Sequence, residues 1–494
     1  MPVDDVWIRV ECDEHVAREL SEYFSFDVPG AKFMPQFKKR YWAGKIHLFK
    51  LRGHLIYRGL LPRVLEFAEQ RGYPVTNQIP TPSKEYSLAE LMQWASKLEL
   101  PVQPRDYQLS AIQQMLTQRR GIVLSPTGSG KSLIIHLLVQ ALGKRTLVVV
   151  PTTGLVSQML ADFVSYGAPE QYIQTIQGGH SKAVTAPIVV STWQSIYDMP
   201  KSYFEQFQCV IVDEVHLAKA KSLTGLLEKC TVSPYRFGFT GTLDDMQAHR
   251  LILEGLFGSV TKVTTTKQLV ENKQLTPLKV KLCVLKYPET TCRDMRKALY
   301  QDEVEFLVTH PTRLEIVSRM AASAKGNVLV LFNFVEKHGK PLYQRIQELA
   351  PDRDVHFVSG DVDADDRERI RQWVTNGEQQ IIVASYGTFS TGINIPNLHT
   401  MIFASPSKSK IRVLQSIGRS LRLHESKSHA TLIDVVDDLR IGASVNHTFR
   451  HAEARVQYYS AEHFPYTMLE LDLDKWVDVL KNPAGRSQDA KTNA

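Results

Sequence analysis

At roughly 150 residues per domain, a chain of 494 residues has room for about three domains, which excludes a lone binding module or a peptide hormone. The composition, 43% hydrophobic and 22% charged, is that of an ordinary globular protein and excludes the collagenous, disordered and coiled-coil classes. A net charge of +7 is weak as a pointer to a polyanionic partner, yet its distribution along the chain is uneven.

Residues 1–30 carry eight acids and two bases, whereas residues 31–71 carry ten bases against only Glu66 and Glu69. The opening MPVDDVWIRVECDEH is acidic, without the basic and apolar stretches of a signal peptide, and nowhere do about 18 apolar residues run together. A soluble, intracellular protein of the cytoplasm is therefore expected. Inside the basic segment, FMPQFKKRYWAGKIHLFK (33–50) interleaves aromatic and basic side chains. Two readings stand. In one, Lys38, Lys39, Arg40 and Lys45 meet phosphates while Phe37, Tyr41 or Trp42 stacks on a base or sugar. In the other, a β-hairpin turns at WAGK, its aromatics are core and its lysines form a wet face. The segment closes on IPTPSKEYS, whose Pro, Thr and Ser mark a connection near residue 85. The five cysteines are scattered and never spaced C-x-x-C, the pattern of buried thiols rather than of a disulfide scaffold or zinc knuckle.

From about residue 105, short apolar runs alternate with amphipathic stretches, the pattern of a parallel sheet covered on both faces. The first series predicts strands at GIVLS (121–125), TLVVV (146–150), IVVS (188–191), CVIVD (209–213) and RFGFT (236–240). A second series follows LTPLKV: VLVLF (328–332), VHFV (355–358), IIVAS (381–385), MIFA (401–404) and TLIDVV (431–436). Two tandem domains of the α/β class fit this, and only the first contains a phosphate-binding loop. Residues from about 446 to 480 read as helical, and KNPAGRSQDAKTNA reads as a frayed tail.

That loop is SPTGSGKS, Ser125 to Ser132, between a strand and the amphipathic run SLIIHLLVQAL. Thr127, Gly128, Ser129 and Gly130 let the backbone N–H groups and the next helix N-terminus surround a phosphate; Lys131 reaches the β and γ phosphates, and Ser132 is a Mg²⁺ ligand. Ser125 stands where the usual pattern has its first glycine. At IVDEVH (211–216), a strand ends in Asp213 and Glu214: one carboxylate for Mg²⁺, a second to polarise the attacking water. ATP and Mg²⁺ are the cofactors these two motifs imply.

In this order the motifs resemble those of the superfamily 2 helicases and translocases, whose fold is a pair of tandem RecA-like parallel-sheet domains. The resemblance implies that Arg105, Tyr107 and Gln108 of PRDYQ serve the nucleotide base, with the Gln108 amide on the adenine edge. It implies a nucleic-acid backbone held by Thr152 and Thr153 of VVVPTTGLVSQ and by Thr192 and Gln194 of VVSTWQS. GFTGTL is similar to the coupling segment, with Thr240 and Thr242 near His216. ASYGTFSTGINIPNL resembles the segment that meets nucleotide and nucleic acid through Thr388, Gly392 and Asn394. In QSIGRSLR, Gln415, Arg419 and Arg422 at spacings of four and three share one helical face, so that both guanidinium groups can serve a γ-phosphate. Such arginines contribute roughly 10³ to 10⁵ in rate.

The N-terminal segment with its W-x-G-K-I-x-L turn, the DEVH box and the VASYGTFSTGI stretch together resemble the UvsW-type recombination and repair helicases of T4-type phages. This implies a small N-terminal α/β DNA-binding domain (1–85), RecA-like domains at 86–278 and 279–445, and a short helical C-terminal extension with its tail at 446–494. It also implies an ATP-dependent DNA helicase for forks, four-way junctions and R-loops, in the host cytoplasm if phage-encoded, with DNA, RNA–DNA hybrids and recombination or replication proteins as partners. A double-strand DNA translocase or an RNA helicase shares the same motor motifs. A DNA-binding or annealing protein with a vestigial ATPase is disfavoured by the intact Lys131, Asp213, Glu214, Arg419 and Arg422. Between the glycine loop and DEVH only Cys209 occurs, so no four-cysteine iron–sulfur cluster is accommodated there.

Overall fold

The computed structural model describes the whole chain except residues 29, 80–84, 180, 218–220, 244–246, 361–363, 391–394 and 477–494. Part of the IPTPSKEYS connection, Gly392, Asn394 and the C-terminal tail thus lie outside the described residues. The chain forms two compact units, Met1–Thr264 and the residues from Thr265 onward. Among the described residues no helix is long and apolar enough to cross a membrane.

The first unit is built on a seven-stranded sheet in the order Val260–Lys262, Arg120–Leu124, Tyr235–Thr240, Cys209–Asp213, Thr146–Val150, Ile188–Thr192, Ile173–Ile176, every pair parallel. Alternate residues of its strands belong to two separate apolar cores. Ile122, Leu147, Val149, Val210 and Val212 enter one, and Val123, Val148, Val150 and Ile211 enter the other. Both faces are therefore covered, which is why these strands read as unbroken apolar runs rather than as alternation.

The second unit carries a second seven-stranded parallel sheet, ordered Val355–Val358, Ile381–Ser385, Asn327–Phe332, Leu398–Phe403, Ala430–Asp438, Leu278–Lys286, Tyr466–Asp472. All ten expected strands are present across the two sheets. The helix expected beyond residue 446 is His447–Ala461, but it is followed by a strand, Tyr466–Asp472, that pairs with Leu278–Lys286. This edge strand is almost entirely exposed, so it has no buried face to imprint an alternation on the sequence.

At the N-terminus, Trp7–Arg9 pairs antiparallel with Leu55–Tyr57, and the helices Glu14–Tyr23 and Leu61–Gln70 pack beside them. Their apolar residues do not form a core of their own. Ile8, Leu20, Ile56, Leu60 and Phe67 belong to the same cluster as Leu226, Leu227, Leu253 and Phe257 of the sheet domain. Polar bonds follow the same junction: Tyr57 donates to Glu228 at 2.6 Å, Arg63 pairs with Glu254 at 2.6 Å, and the Asp5 N–H donates to the Thr231 carbonyl at 3.0 Å. The N-terminal segment is thus part of the first unit's core.

Gly59 marks how close the approach is. A Cβ built there would lie 2.1 Å from the Glu254 carbonyl oxygen and 2.8 Å from the Gly258 nitrogen, both backbone atoms of the neighbouring helix end. Gly59→Ala should therefore lower the unfolding free energy by about 1–3 kcal/mol, the usual cost of overpacking. Gly154→Ala, where the added methyl meets open space, is the control and should leave denaturant midpoints unchanged or slightly higher. Equal midpoints for the two variants would mean that the junction is loosely packed.

Candidate nucleotide and nucleic-acid site

Parallel register brings the phosphate chemistry together. Leu124 lies opposite Thr240, and Phe239 lies opposite Asp213, so the glycine loop, the DEVH box and the GFTGTL segment leave three adjacent strands at the same edge. Gly128 (φ 84°) and Gly130 (φ 77°) take left-handed conformations that admit glycine without strain, and Gly130 caps the helix Lys131–Leu142. The amides of that helix start are the anion-binding end.

The three residues of PRDYQ brace this loop from behind. Arg105 Nη1 donates to the Tyr107 hydroxyl at 3.0 Å, and that hydroxyl donates to the Ser129 carbonyl at 2.7 Å. The Gln108 amide donates to the Ser129 and Gly130 carbonyls, and its oxygen accepts from the Arg105 N–H at 2.8 Å. Gln108 is buried. Its amide bonds are to the loop backbone, so Gln108 joins the start of its own helix to the phosphate loop. Within the loop, the Ser125 hydroxyl, at the position of the usual first glycine, donates to the Ser129 hydroxyl at 2.6 Å. Lys131 Nζ lies 3.4 Å from the Ser125 carbonyl, and Ser132 is bonded to the Tyr166 hydroxyl at 3.0 Å.

At the acidic end, burial and then the neighbouring Glu214 carboxylate push Asp213 above the usual carboxylate range, against the pull of Lys131. Two crowded carboxylates with one nearby lysine form an anionic, hard-oxygen site. With the Ser132 hydroxyl they are donors suited to Mg²⁺. Glu214 has a left-handed backbone, φ 53°, a strained conformation for a residue with a side chain. Its N–H donates to Asp213 Oδ1 at 2.9 Å, and the next residue, Val215, packs over Gly238, where a Cβ would press to 3.1 Å. His216 is buried between the two segments, with Nδ1 3.2 Å from Glu214 Oε2 and 2.9 Å from Thr240 Oγ1. Thr240 Oγ1 in turn donates to the Thr242 carbonyl and accepts the Thr242 N–H. One imidazole nitrogen thus lies within reach of both the Glu214 carboxylate and the Thr240 hydroxyl of the GFTGTL turn.

On the same edge, Val150 pairs with Thr192, so the two threonine-bearing segments are neighbours. Thr152 caps the helix Thr153–Ser165 by accepting the Leu155 N–H. Thr153 and Gln194 are exposed, whereas Thr192 is buried with its hydroxyl bonded to Ser195. In the second unit Thr388 is likewise buried and bonded to Ser385. Gln415 and Arg419 lie on the helix Lys410–Ser420, but Arg422 stands beyond its end. The carbonyls at and beyond the helix end have outside donors: Lys427 Nζ bonds that of Ser420, and Thr276 bonds those of Leu421 and Arg422. Gln415 and Arg419, four residues apart on the helix, share a face, and Arg422 follows two residues after the helix end.

Three family models match this chain: DNA helicase UvsW, N-terminal, over residues 3–77; Type III restriction enzyme, res subunit, over 101–245; and Helicase conserved C-terminal domain over 312–424. The ATP-dependent DNA helicase uvsW of Enterobacteria phage T4 is 35% identical over 94% of this chain and 98% of that protein. The chain belongs to the UvsW family of superfamily 2 helicases. The crystal structure of T4 UvsW matches this UvsW-family chain with a TM-score of 0.51 at 34% identity, covering 95% and 98% of the two chains. The DNA 3'-5' translocase XPB2 of Sulfurisphaera tokodaii is 26% identical over 69% of this chain and 82% of that protein.

The basic segment of this UvsW-family chain forms a projecting loop. Ser25–Asp27 pairs antiparallel with Lys45–His47, so the hairpin closes around residues 28–44 rather than turning at WAGK. Short helical turns, Ala31–Phe33 and Pro35–Lys38, occupy the interior of that loop. Tyr41 (84% exposed) and Phe33 (71%) stand in solvent beside the exposed Lys38, Lys39 and Arg40, so these aromatics are not core. Lys45 differs from the others: it is paired with Glu22. Trp42 is half-buried and its indole donates to the Lys45 carbonyl at 2.6 Å, pinning the loop base. Phe33 was not singled out from sequence, although its place in the aromatic and basic interleaving was the available signal.

Gly130 provides a direct test of the loop geometry. A Cβ there meets both an unfavourable backbone angle and the Gln108 amide at 2.5 Å. Gly130→Ala is expected either to keep the loop's shape and lower the unfolding free energy by the left-handed penalty of roughly 1–2 kcal/mol, or to relieve that strain by moving the loop and weaken nucleotide binding by about tenfold. Titration with a fluorescent ATP analogue and denaturant unfolding check this, and wild-type affinity with wild-type stability would contradict the loop geometry.

Proposed function

We propose that this chain is an ATP-dependent DNA helicase that works at branched DNA: forks, four-way junctions and R-loops in recombination, repair and replication restart. The observation that supports it best is the projecting loop of residues 28–44, which sets exposed aromatic rings beside exposed cations on the unit that carries the phosphate loop. A branch point is where duplex phosphates and unstacked bases occur together. Cations grip the first and rings stack on the second. The four segments 1–85, 86–278, 279–445 and 446–494 are the division of labour that goes with this reading.

In the proposed reaction, the loop of Thr127, Gly128, Ser129 and Gly130 seats the nucleotide phosphates and Lys131 neutralises their charge. Ser132 and Asp213 would hold Mg²⁺, which supplies charge neutralisation at the β and γ phosphates when bound. Glu214 orients and deprotonates the attacking water. Arg419 and Arg422 stabilise the developing negative charge, with Gln415 beside them. Arg105, Tyr107 and Gln108 keep the loop in shape around the nucleotide. His216, Thr240 and Thr242 carry the state of the Glu214 carboxylate to the strand-end segments, where Thr152, Thr153, Thr192 and Gln194 belong to the nucleic-acid track. In the second unit, Thr388 is assigned to nucleic acid and Gly392 to the nucleotide.

Comparing unwinding of forks, four-way junctions, R-loops and plain duplexes tests the substrate class; equal rates on all four would remove the branch preference. Lys131→Ala and Glu214→Gln should each lower ATP hydrolysis by about 10² or more, while DNA binding stays measurable. If Lys38, Lys39 and Arg40 each neutralise one phosphate, replacing all three with alanine should flatten the log–log salt dependence of DNA binding by roughly 0.9 per lost contact. An unchanged slope in a folded variant would reduce the cluster to a solvated face.

A further inference from the structure

The helix that carries Arg419 begins after a tight loop, Ala404 to Ser409, at the end of the strand Leu398–Phe403. Most of this loop is buried, so its backbone carbonyls need donors. Two buried arginines supply them. Arg313 donates to both oxygens of Asp437 at 2.7 and 3.0 Å and to the Ala404 carbonyl at 2.8 Å. Arg455 donates to both oxygens of Asp434 at 2.8 Å and to the Ser407 carbonyl at 2.9 Å. Tyr459 adds a bond to Asp434, and Tyr458 bonds the Lys408 carbonyl at 3.0 Å. Both aspartates lie on the strand Ala430–Asp438, so each arginine ties one end of the loop to the sheet.

Arg455 comes from the helix His447–Ala461, outside all the motor motifs. The start of that helix is fixed in turn by the buried Glu303, which accepts from the His447 and Thr448 N–H groups at 2.9 and 2.7 Å. A planar guanidinium can serve a carboxylate bidentately and a third acceptor at once. Lysine keeps the charge but presents no such fork. That third bond is one of the ties that hold the loop to the sheet, beside those of Arg313 to Ala404 and Tyr458 to Lys408.

We propose that Arg455 is a positioning residue for ATP hydrolysis: through the Ser407 carbonyl it holds the loop that launches the arginine-bearing helix, so the C-terminal helix tunes turnover without touching nucleotide. This rests on the reading of Arg419 given above. The function differs from ordinary core support in what it predicts, because a support residue alters stability and a positioning residue alters kcat at constant KM.

The test is a double-mutant cycle in the full chain with a DNA-stimulated ATPase assay and melting temperatures on every variant. Arg455→Lys, which keeps the charge opposite Asp434, should retain folding and a KM for ATP within about twofold while kcat falls about tenfold. Tyr458→Phe, a milder change that removes one bond to the same loop, should move kcat in the same direction by a smaller factor. Arg419→Ala should lower kcat strongly, and Arg455→Lys should then add little to it. If Arg455→Lys keeps kcat, or lowers it by the same factor with and without Arg419, the proposal is overturned. If Arg419→Ala itself leaves kcat unchanged, the reading of the arginine helix fails first and the positioning role falls with it. Should Arg455→Lys not fold, the Tyr458→Phe cycle with Arg419→Ala decides on the same criteria.

Discussion

Parallel pairing sends the carboxyl ends of all strands out of one edge of a sheet, and register then decides which residues become neighbours there. In the first unit this single constraint orders the chemistry. The strands ending at Leu124, Thr240 and Asp213 are adjacent, and they deliver the phosphate loop, the GFTGTL turn and the acidic pair in a row. The next two strands, ending at Val150 and Thr192, deliver the segments assigned to nucleic acid. The phosphate-loop residues and the segments assigned to nucleic acid therefore leave the sheet along one edge, and His216 Nδ1 lies near both Glu214 and Thr240, across the two adjacent strands of the acidic pair and the GFTGTL turn. A change at the Glu214 carboxylate need cross only one imidazole to reach the turn.

The strand ends are polar, and burying them creates carbonyls that the ladders do not satisfy. Arginine is the recurrent answer in both units. Arg236, fully buried, donates to the carbonyls of Leu227, Cys230 and Leu256, closing two helix ends against a strand. Arg353 does the same for Ala322, Ala324, Gly326 and Gln379. Five donors in a fixed plane allow one side chain to satisfy several acceptors that no single amide can reach. The cost is a desolvated cation, which for Arg313 and Arg455 is offset by an aspartate on the strand Ala430–Asp438 and for Arg236 by carbonyl dipoles. These sites tolerate little substitution because removing one partner leaves the other buried and unpaired.

The division between what was legible in sequence and what was not follows the same physics. Strands buried on both faces appear as apolar runs, and all of those expected are present. Leu278–Lys286 was passed over because Lys279 and Lys281 interrupt it, and Ile173–Ile176 and Val260–Lys262 because they are short. Motifs that meet a ligand by backbone or charge were legible because their residue types are scarce and ordered. What stayed hidden were pairings across long stretches of chain: Gln108 committed to the loop it precedes by 21 residues, Lys45 neutralised by Glu22, Arg455 opposite Asp434. A side chain's type states what it can bind, and only the fold states what already occupies it.

The shared core of the N-terminal segment and the first sheet changes how grip on DNA can act. A binding domain on a flexible linker adds affinity by raising local concentration, but the linker absorbs any displacement before the motor feels it. Here Leu60, Ile56 and Phe67 sit in one cluster with Leu253 and Phe257, and Gly59 permits backbone contact with the helix end at Glu254. The segment that carries the basic loop is therefore packed directly on the unit that carries Lys131 and Asp213. On the proposed reading, phosphates and bases met by Lys38, Lys39, Arg40 and Tyr41 would be held by the same unit that carries the nucleotide site. On that reading, a contact between this loop and DNA would bear on the first unit directly, because the segment that carries the loop shares that unit's core.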